Sequence, residues 1–312
     1  MTRPLIVLDG GTGRELMRLG APFRQPEWSA LALMQAPECV TEVHRRFVAA
    51  GAEVITTNSY ALVPFHIGAE RFQREGRGLA DLAGRLARSA AHEAQHPVRV
   101  AGSLPPVCGS YRPDLFDAAH ARPVLRALVQ ALEPHVDLWL AETLSSQAEV
   151  TLVSEALVGT RQPLWVSYTL ADQATRPRGP CLRSGEPVAA AVVHAAQLDA
   201  GAVLFNCCQP EVIGAAIAAA LEALTGIPAA AAGEDVRVGA YANAFAPQTA
   251  AAAANQDLSE LRTDLGPAEY VRWVRGWIAG GADIVGGCCG VGAEHIAAIR
   301  GALAGDRDHR DR

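Results

Sequence analysis

Short β-like runs and longer helical patterns alternate through this whole chain, and that alternation limits its folds more than any other feature. A strand, a helix and a second strand form the unit of a parallel sheet. Eight such units in succession favour a single (β/α)8 TIM-type barrel, an α/β fold, over an open doubly wound sheet. The runs are Leu5–Leu8, Glu53–Thr57, Val98–Ala101, Asp137–Ala141, Pro163–Thr169, Ala202–Asn206, Val236–Tyr241 and Asp283–Gly286. Helices are predicted between them over Thr12–Leu19, Pro37–Ala50, Arg71–Gln95, Ala118–His135, Ser146–Val158, Pro187–Leu198, Glu211–Leu224 and Pro267–Ala279, with Ala293–Leu303 last. In Pro37–Ala50, Val40, Val43, Phe47 and Val48 fall at helical spacing, and Gly51 is placed to end the helix. The phrases Ala50-Gly51-Ala52, Ala200-Gly201-Ala202 and Gly280-Gly281-Ala282 each stand between a helix and a strand, as short αβ loops do. A doubly wound sheet would want a GxGxxG turn after the first strand, and Gly10-Gly11-Thr12-Gly13 does not match it.

No change of composition interrupts the series, so residues 1–305 are expected to form one barrel. The remaining Asp306–Arg312 alternates in charge and is expected to be a solvated, disordered tail. Residues 243–266 form a long alanine-rich connection, expected to be a loop with a helical turn. Half of the 312 residues are apolar and 19% are charged, enough to bury a large core. A net charge of −6 argues against nucleic acid or an anionic membrane as partner. No apolar stretch has the length of a membrane span, and Met1-Thr2-Arg3-Pro4 leads straight into the first strand without room for a signal peptide. Seven cysteines, an odd number, read as reduced thiols of a cytoplasmic protein rather than a disulfide framework.

Barrels of this kind build their sites at the C-terminal ends of the strands. Those ends carry Asp9-Gly10-Gly11-Thr12, Asn58-Ser59-Tyr60, Gly102-Ser103, Glu142-Thr143, Tyr168-Thr169, Asn206-Cys207-Cys208, Tyr241 with Asn243, and Cys288-Cys289. The opposite ends read as mostly small and apolar. Successive Cβ atoms point apart along a strand, so adjacent cysteines make poor disulfides. Strands six and eight are separated by one neighbour, which lets Cys207 meet the Cys288-Cys289 pair across the mouth. Three thiolates make an open zinc site, whereas structural zinc sites present four ligands in CxxC pairs that this chain lacks. Thiolate-bound Zn2+ suits a soft fourth ligand such as a substrate thiol, which coordination would deprotonate for alkyl transfer. Glu142 could then pair with an ammonium group, and the Gly10-Gly11-Thr12 turn could receive a carboxylate on its backbone amides. A thiol amino acid fits these groups. Asp9 serves either the substrate or the order of its own turn, and Asn58 and Ser103 are substrate-contact candidates by position. Cys39, Cys108 and Cys181 lack such a context, and His66, His194 and His295 read as surface or satisfied core residues. Trp139, Trp165, Trp273 and Trp277 read as packing. The rival functions are a thiol switch, disfavoured by the missing CxxC, and a sugar-phosphate barrel, for which cysteines after strand eight fit poorly.

The phrases Leu8-Asp9-Gly10-Gly11-Thr12-Gly13, Thr57-Asn58-Ser59-Tyr60, Ala141-Glu142-Thr143, Asn206-Cys207 and Gly286-Gly287-Cys288-Cys289-Gly290 resemble the homocysteine S-methyltransferase family over essentially the whole chain. The resemblance implies a zinc-holding barrel that methylates homocysteine to methionine, with homocysteine and a small methyl donor as partners. It implies Cys207, Cys288 and Cys289 as ligands, Glu142 as the amino-group contact, and the Asp9 turn as the substrate-binding first loop. Cys208 is taken as a neighbour of the site. S-methylmethionine is the favoured donor and S-adenosylmethionine a possible one; betaine as donor, or a thiol or selenol acceptor such as selenocysteine, is the alternative. Two loops depart from the family pattern, Tyr241-Ala242-Asn243-Ala244-Phe245 and Leu104–Tyr111, and both belong to the mouth. The expected assembly is a monomer or small homo-oligomer.

Overall fold

The computed structural model describes residues 3–172, 179–227, 236–247 and 260–308. Eight parallel strands form one sheet: β1 (Ile6–Val7), β2 (Val54–Thr56), β3 (Arg99–Leu104), β4 (Leu138–Leu144), β5 (Leu164–Tyr168), β6 (Ala202–Asn206), β7 (Arg237–Tyr241) and β8 (Ile284–Val285). Their order runs from β1 through β8 and down to β2. The Leu8–Val54 bridge, with Glu53 N donating to Val7 O at 2.7 Å and Asp9 N to Val54 O at 3.0 Å, joins β1 to β2 and completes the barrel. The surrounding helices are α1 (Thr12–Arg18), α2 (Ser29–Gln35), α3 (Pro37–Ala49), α4 (Pro64–Ile67), α5 (Ala69–His92), α6 (Ala118–Leu132), α7 (Gln147–Ala156), α8 (Val188–Gln197), α9 (Pro210–Thr225), α10 (Pro267–Ala279) and α11 (Ala293–Asp308). Among the described residues no helix is long and apolar enough to cross a membrane.

The pleat decides what faces the barrel interior. Ile6, Leu8, Val54, Ala101, Leu138, Leu140, Trp165, Ala202, Leu204, Tyr241 and Ile284 pack with one another inside the ring. The alternate residues, such as Val203 and Phe205, join the larger core between sheet and helices. With a side-chain period of two, the positions after Ala101, Leu140, Trp165 and Leu204 on the inner face are Ser103, Glu142, Ser167 and Asn206. All four are buried, so the top interior layer of the barrel is polar on an otherwise apolar stack.

Helices turn into strands as the αβ phrases suggested, with one shift. After α3 the Gly51 N–H bonds Val48 O at 2.9 Å and the Ala52 N–H bonds Phe47 O at 3.1 Å, the paired bonds of a left-handed helix end. Gly51 takes φ +98°, which a residue with a Cβ adopts only under strain. After α8 the left-handed residue is Asp199 at φ +57°, ahead of Gly201.

The N-terminal rim is charged, contrary to the apolar rim expected. Asp137 Oδ2 accepts from Val100 N at 2.7 Å and Glu53 Oε2 from Val7 N at 3.0 Å, serving amides that start their strands. Arg88 meets Asp137 at 2.8 Å, Arg237 meets Asp283 at 3.1 Å, and Arg300 meets Glu53 at 3.3 Å. Each charge stands singly beside a different strand, and only the ring closure collects them. Two further segments lie off the strand pattern. The ends of the 243–266 connection pair with each other through Phe245 and Leu261, while 248–259 lies outside the described residues. Helix α11 runs into the charged tail as far as Asp308, and 309–312 lie outside the described residues. Asp137→Ala, which leaves the buried Val100 amide unpaired, should destabilise the protein by about 1–3 kcal/mol. Urea unfolding checks this, with activity per folded molecule expected to be unchanged.

Candidate active site

The three cysteines named above converge over the polar interior layer. Cys207 Sγ lies 2.8 Å from Cys288 Sγ and 4.0 Å from Cys289 Sγ, and all three sulfurs fall within 4.8 Å of one another. Three sulfurs at ~2.3 Å from a tetrahedral zinc would stand about 3.8 Å apart, so the donor set fits such an ion after a small spreading of the closest pair. All seven cysteines are free. Hydrogen bonds from Cys288 and Cys289 hold the Cys207 thiol well below its ordinary range, and those same bonds to Cys207 push Cys288 and Cys289 up. One sulfur of the cluster therefore ionises first, with its neighbours as donors. Cys208 is fully buried with its thiol pushed up by burial, and it stands outside the cluster.

The loop after β8 is fixed by backbone contacts. Cys288 N donates to Ala242 O at 2.9 Å, Ala244 N to Cys289 O at 2.8 Å, and Gly287 N to Asp9 O at 3.0 Å. Tyr270 Oη reaches Gly286 O at 2.9 Å and Ala242 O at 3.1 Å, tying α10 to the same loop. The first loop lies directly against it. A Cβ on Gly11 would stand 2.6 Å from Cys288 O and 3.0 Å from Cys289 Cα, so only glycine lets the two loops touch.

Cys207 reaches the mouth through backbone conformations that residues with a Cβ rarely adopt. Cys207 has φ +50° and Thr143 has φ +63°, each costing ~1–2 kcal/mol. Asn206 holds both. Its Oδ1 accepts from Thr143 N at 2.9 Å and from Ser167 Oγ at 2.8 Å, while its Nδ2 donates to Thr143 Oγ1 at 2.9 Å and towards Cys288 Sγ at 3.8 Å. The kink at Thr143 also explains why β4 extends past its expected end at Ala141, with a register shift between Ala141 and Leu144.

Glu142, on the inner face just before this kink, accepts from Ser103 Oγ at 2.5 Å and from Tyr241 Oη at 3.4 Å. Burial, with the nearby Cys207 and Asp9 charges, pushes its carboxyl up to about 8. Such a group is poised for a cation that would restore its charge. Asp9 is engaged with β2 rather than with its own turn alone: its carboxylate accepts from Thr56 N at 2.7 Å and Thr56 Oγ1 at 3.0 Å, and burial raises it to about 7. Asn58 Nδ2 donates to Ser29 O at 3.1 Å, anchoring the start of α2. Gly10 and Thr12 flank Gly11 in the first loop, and the Gly11 amide is already engaged with Val291 O at 2.9 Å. Tyr60, Tyr111 and Tyr241 also influence the cluster, although no role was expected of them from the sequence. Tyr241 is buried and Tyr60 and Tyr111 are half-buried, and all three phenols are raised first by desolvation and also by the charge of Cys207. Their sequence signal was position alone, in the loops after strands two and three and at the end of strand seven. His66 and His295 are buried core residues bonded to Pro26 O and Leu265 O, as expected.

A family model described as homocysteine S-methyltransferase matches residues 6–303. The chain belongs to the homocysteine S-methyltransferase family. It is 30% identical to the homocysteine S-methyltransferase of Escherichia coli over 95% of this chain and 94% of that protein. The metallated form of the homocysteine methyltransferase MmuM from E. coli superposes with a TM-score of 0.72 at 27% identity, covering 96% of each chain. The selenocysteine methyltransferase of Astragalus bisulcatus is 27% identical over 94% of this chain and 90% of its own length. As a member of the homocysteine S-methyltransferase family, the protein is an enzyme of methyl transfer.

Gly11→Ala should leave the barrel folded by far-UV circular dichroism yet cut methyl transfer at least ten-fold by displacing the Cys288-Cys289 loop. Unchanged activity would contradict the close-approach argument.

Proposed function

We propose that this chain transfers a methyl group from a sulfonium donor, with S-methylmethionine favoured and S-adenosylmethionine second, to homocysteine, with Cys207, Cys288 and Cys289 holding Zn2+. The convergence of those three sulfurs over a buried carboxylate is the observation that carries this reading. When bound, zinc supplies a soft Lewis acid with an open fourth position that keeps a substrate sulfur deprotonated at neutral pH. Glu142 takes the substrate ammonium, and Ser103 orients that carboxylate. The first loop, Gly10 to Thr12, faces the substrate carboxylate, the Thr12 amide being the better candidate because that of Gly11 is engaged. Asp9 and Asn58 act by holding the wall, through Thr56 and Ser29. The homocysteine sulfur forms a bond to the donor methyl carbon as the carbon–sulfonium bond breaks. Its electron pair stays on the leaving sulfur, which departs as a neutral thioether without needing a proton. The acceptor can also be a selenol, a reading favoured by the similarity to a selenocysteine methyltransferase. Seven free thiols suit a reducing cytoplasm, and residues 1–305 act as one unit.

Cys288→Ala or Cys289→Ala should abolish both zinc content and methionine formation, assayed with S-methylmethionine, S-adenosylmethionine and betaine in parallel. Turnover retained without zinc would contradict the mechanism. Glu142→Gln should weaken homocysteine binding about 10–100-fold with zinc content intact, as expected for loss of a buried ionic hydrogen bond. Because the folded Glu142 carboxyl is raised from 4.5 to about 8, folding disfavours its ionised form. The free wild-type protein should therefore lose stability relative to E142Q as pH climbs through that window. A constant difference in Tm from pH 5 to 8.5 would contradict the assignment.

A further inference from the structure

Beyond the groups already placed in the reaction, a buried ion pair sits behind the metal turn. Arg183 and Asp172 lie in the connection between β5 and α8, with side chains only 6% and 1% exposed and Nη2 3.1 Å from Oδ2. Several contacts of this pair lead to the cysteine turn after β6. Arg183 Nε donates to Thr169 Oγ1 at 3.2 Å, and Thr169 Oγ1 donates to Cys207 O at 3.1 Å. Asp172 Oδ1 accepts from Gln209 N at 3.0 Å. The pair therefore grips the carbonyl of Cys207 and the amide of Gln209, on either side of Cys208. The guanidinium also covers the Tyr111 ring at 4.2 Å, and Tyr111 itself is held at φ +66° with its hydroxyl facing the Cys207 sulfur.

We propose that Arg183 and Asp172 are positioning residues that clamp the Cys207 turn in its strained, metal-ready form before the ion arrives. The physical reason is the left-handed backbone of Cys207, which relaxes to an ordinary conformation unless neighbours over-determine it. Relaxation would swing the sulfur away from Cys288 and Cys289. Asn206 fixes the residue before Cys207, and the Arg183–Asp172 pair fixes its carbonyl and the amide two residues on. The guanidinium fork is required, since one planar group serves Thr169, Asp172 and the Tyr111 face at once. The proposal rests on the metal-site reading above.

The test follows zinc release from the loaded full-length enzyme to an excess of chelator, alongside the Tm of the metal-free protein. Thr169→Val removes the link to Cys207 and leaves the ion pair in place. Arg183→Lys keeps the charge and removes the fork. Both are expected to release zinc at least ten-fold faster than wild type, in the range found for groups that orient metal ligands. Arg88→Met breaks an ion pair at the opposite rim and is expected to lower the Tm with zinc release unchanged. Wild-type release from T169V and R183K would overturn the clamp, as would R88M releasing zinc as fast as they do. A wild-type chain that takes up no zinc would overturn the metal-site reading, and the clamp with it; zinc held normally by every variant would overturn the clamp alone.

Discussion

The side chain of Asn206 connects more of the site than any other group. One amide spans three strands, accepting from β4 and β5 and donating to Thr143 on β4 and towards the Cys288 sulfur after β8. A neutral amide suits this place because it carries both donor and acceptor, and a buried carboxylate could not donate to Thr143 or to sulfur. Its bonds offset the strain of two left-handed residues, and those two residues set the direction of Glu142 and Cys207. The carboxylate and the first sulfur thus share one support.

The remaining sulfurs depend on the barrel being closed. Cys288 and Cys289 are held from β7 through Ala242 and Ala244, and from β1 through Asp9 and the glycine turn. That contact is possible because Gly11 has no Cβ. The seam between first and last strands is thus the bed of the Cys288-Cys289 loop. The charged lower rim serves the same closure, since Glu53 caps the start of β1 while its backbone pairs with that strand.

The order of strands and helices was legible because apolar runs and αβ turns repeat with regular chemistry along the chain. The three sulfurs were legible too, since adjacent cysteines at strand ends are rare and topology brings strands six and eight close. Helices α2 and α4 were missed: each is short, and α4, a single turn from Pro64 to Ile67, has too few turns for a period to show. The charged rim was misread because its members stand one to a strand, and only ring closure joins them. Thr143 was unreadable as a left-handed residue, since β-branched threonine argues for ordinary strand and only Asn206 reverses that preference. Arg183, Asp172 and Tyr111 carried no local pattern, because Tyr111 lies more than sixty residues from the other two and meets Arg183 only across separate loops. Glu142 was found by its position, while its partners Ser103 and Tyr241 follow from the pleat.

The central claim is that three protein sulfurs leave one position on zinc for the sulfur of the substrate. Zinc-edge X-ray absorption on the enzyme, with and without homocysteine, measures this directly. The account predicts three sulfur neighbours at ~2.3 Å with a lighter atom in the free enzyme, and four sulfurs once homocysteine is added. A sulfur count that stays the same on adding homocysteine would contradict it.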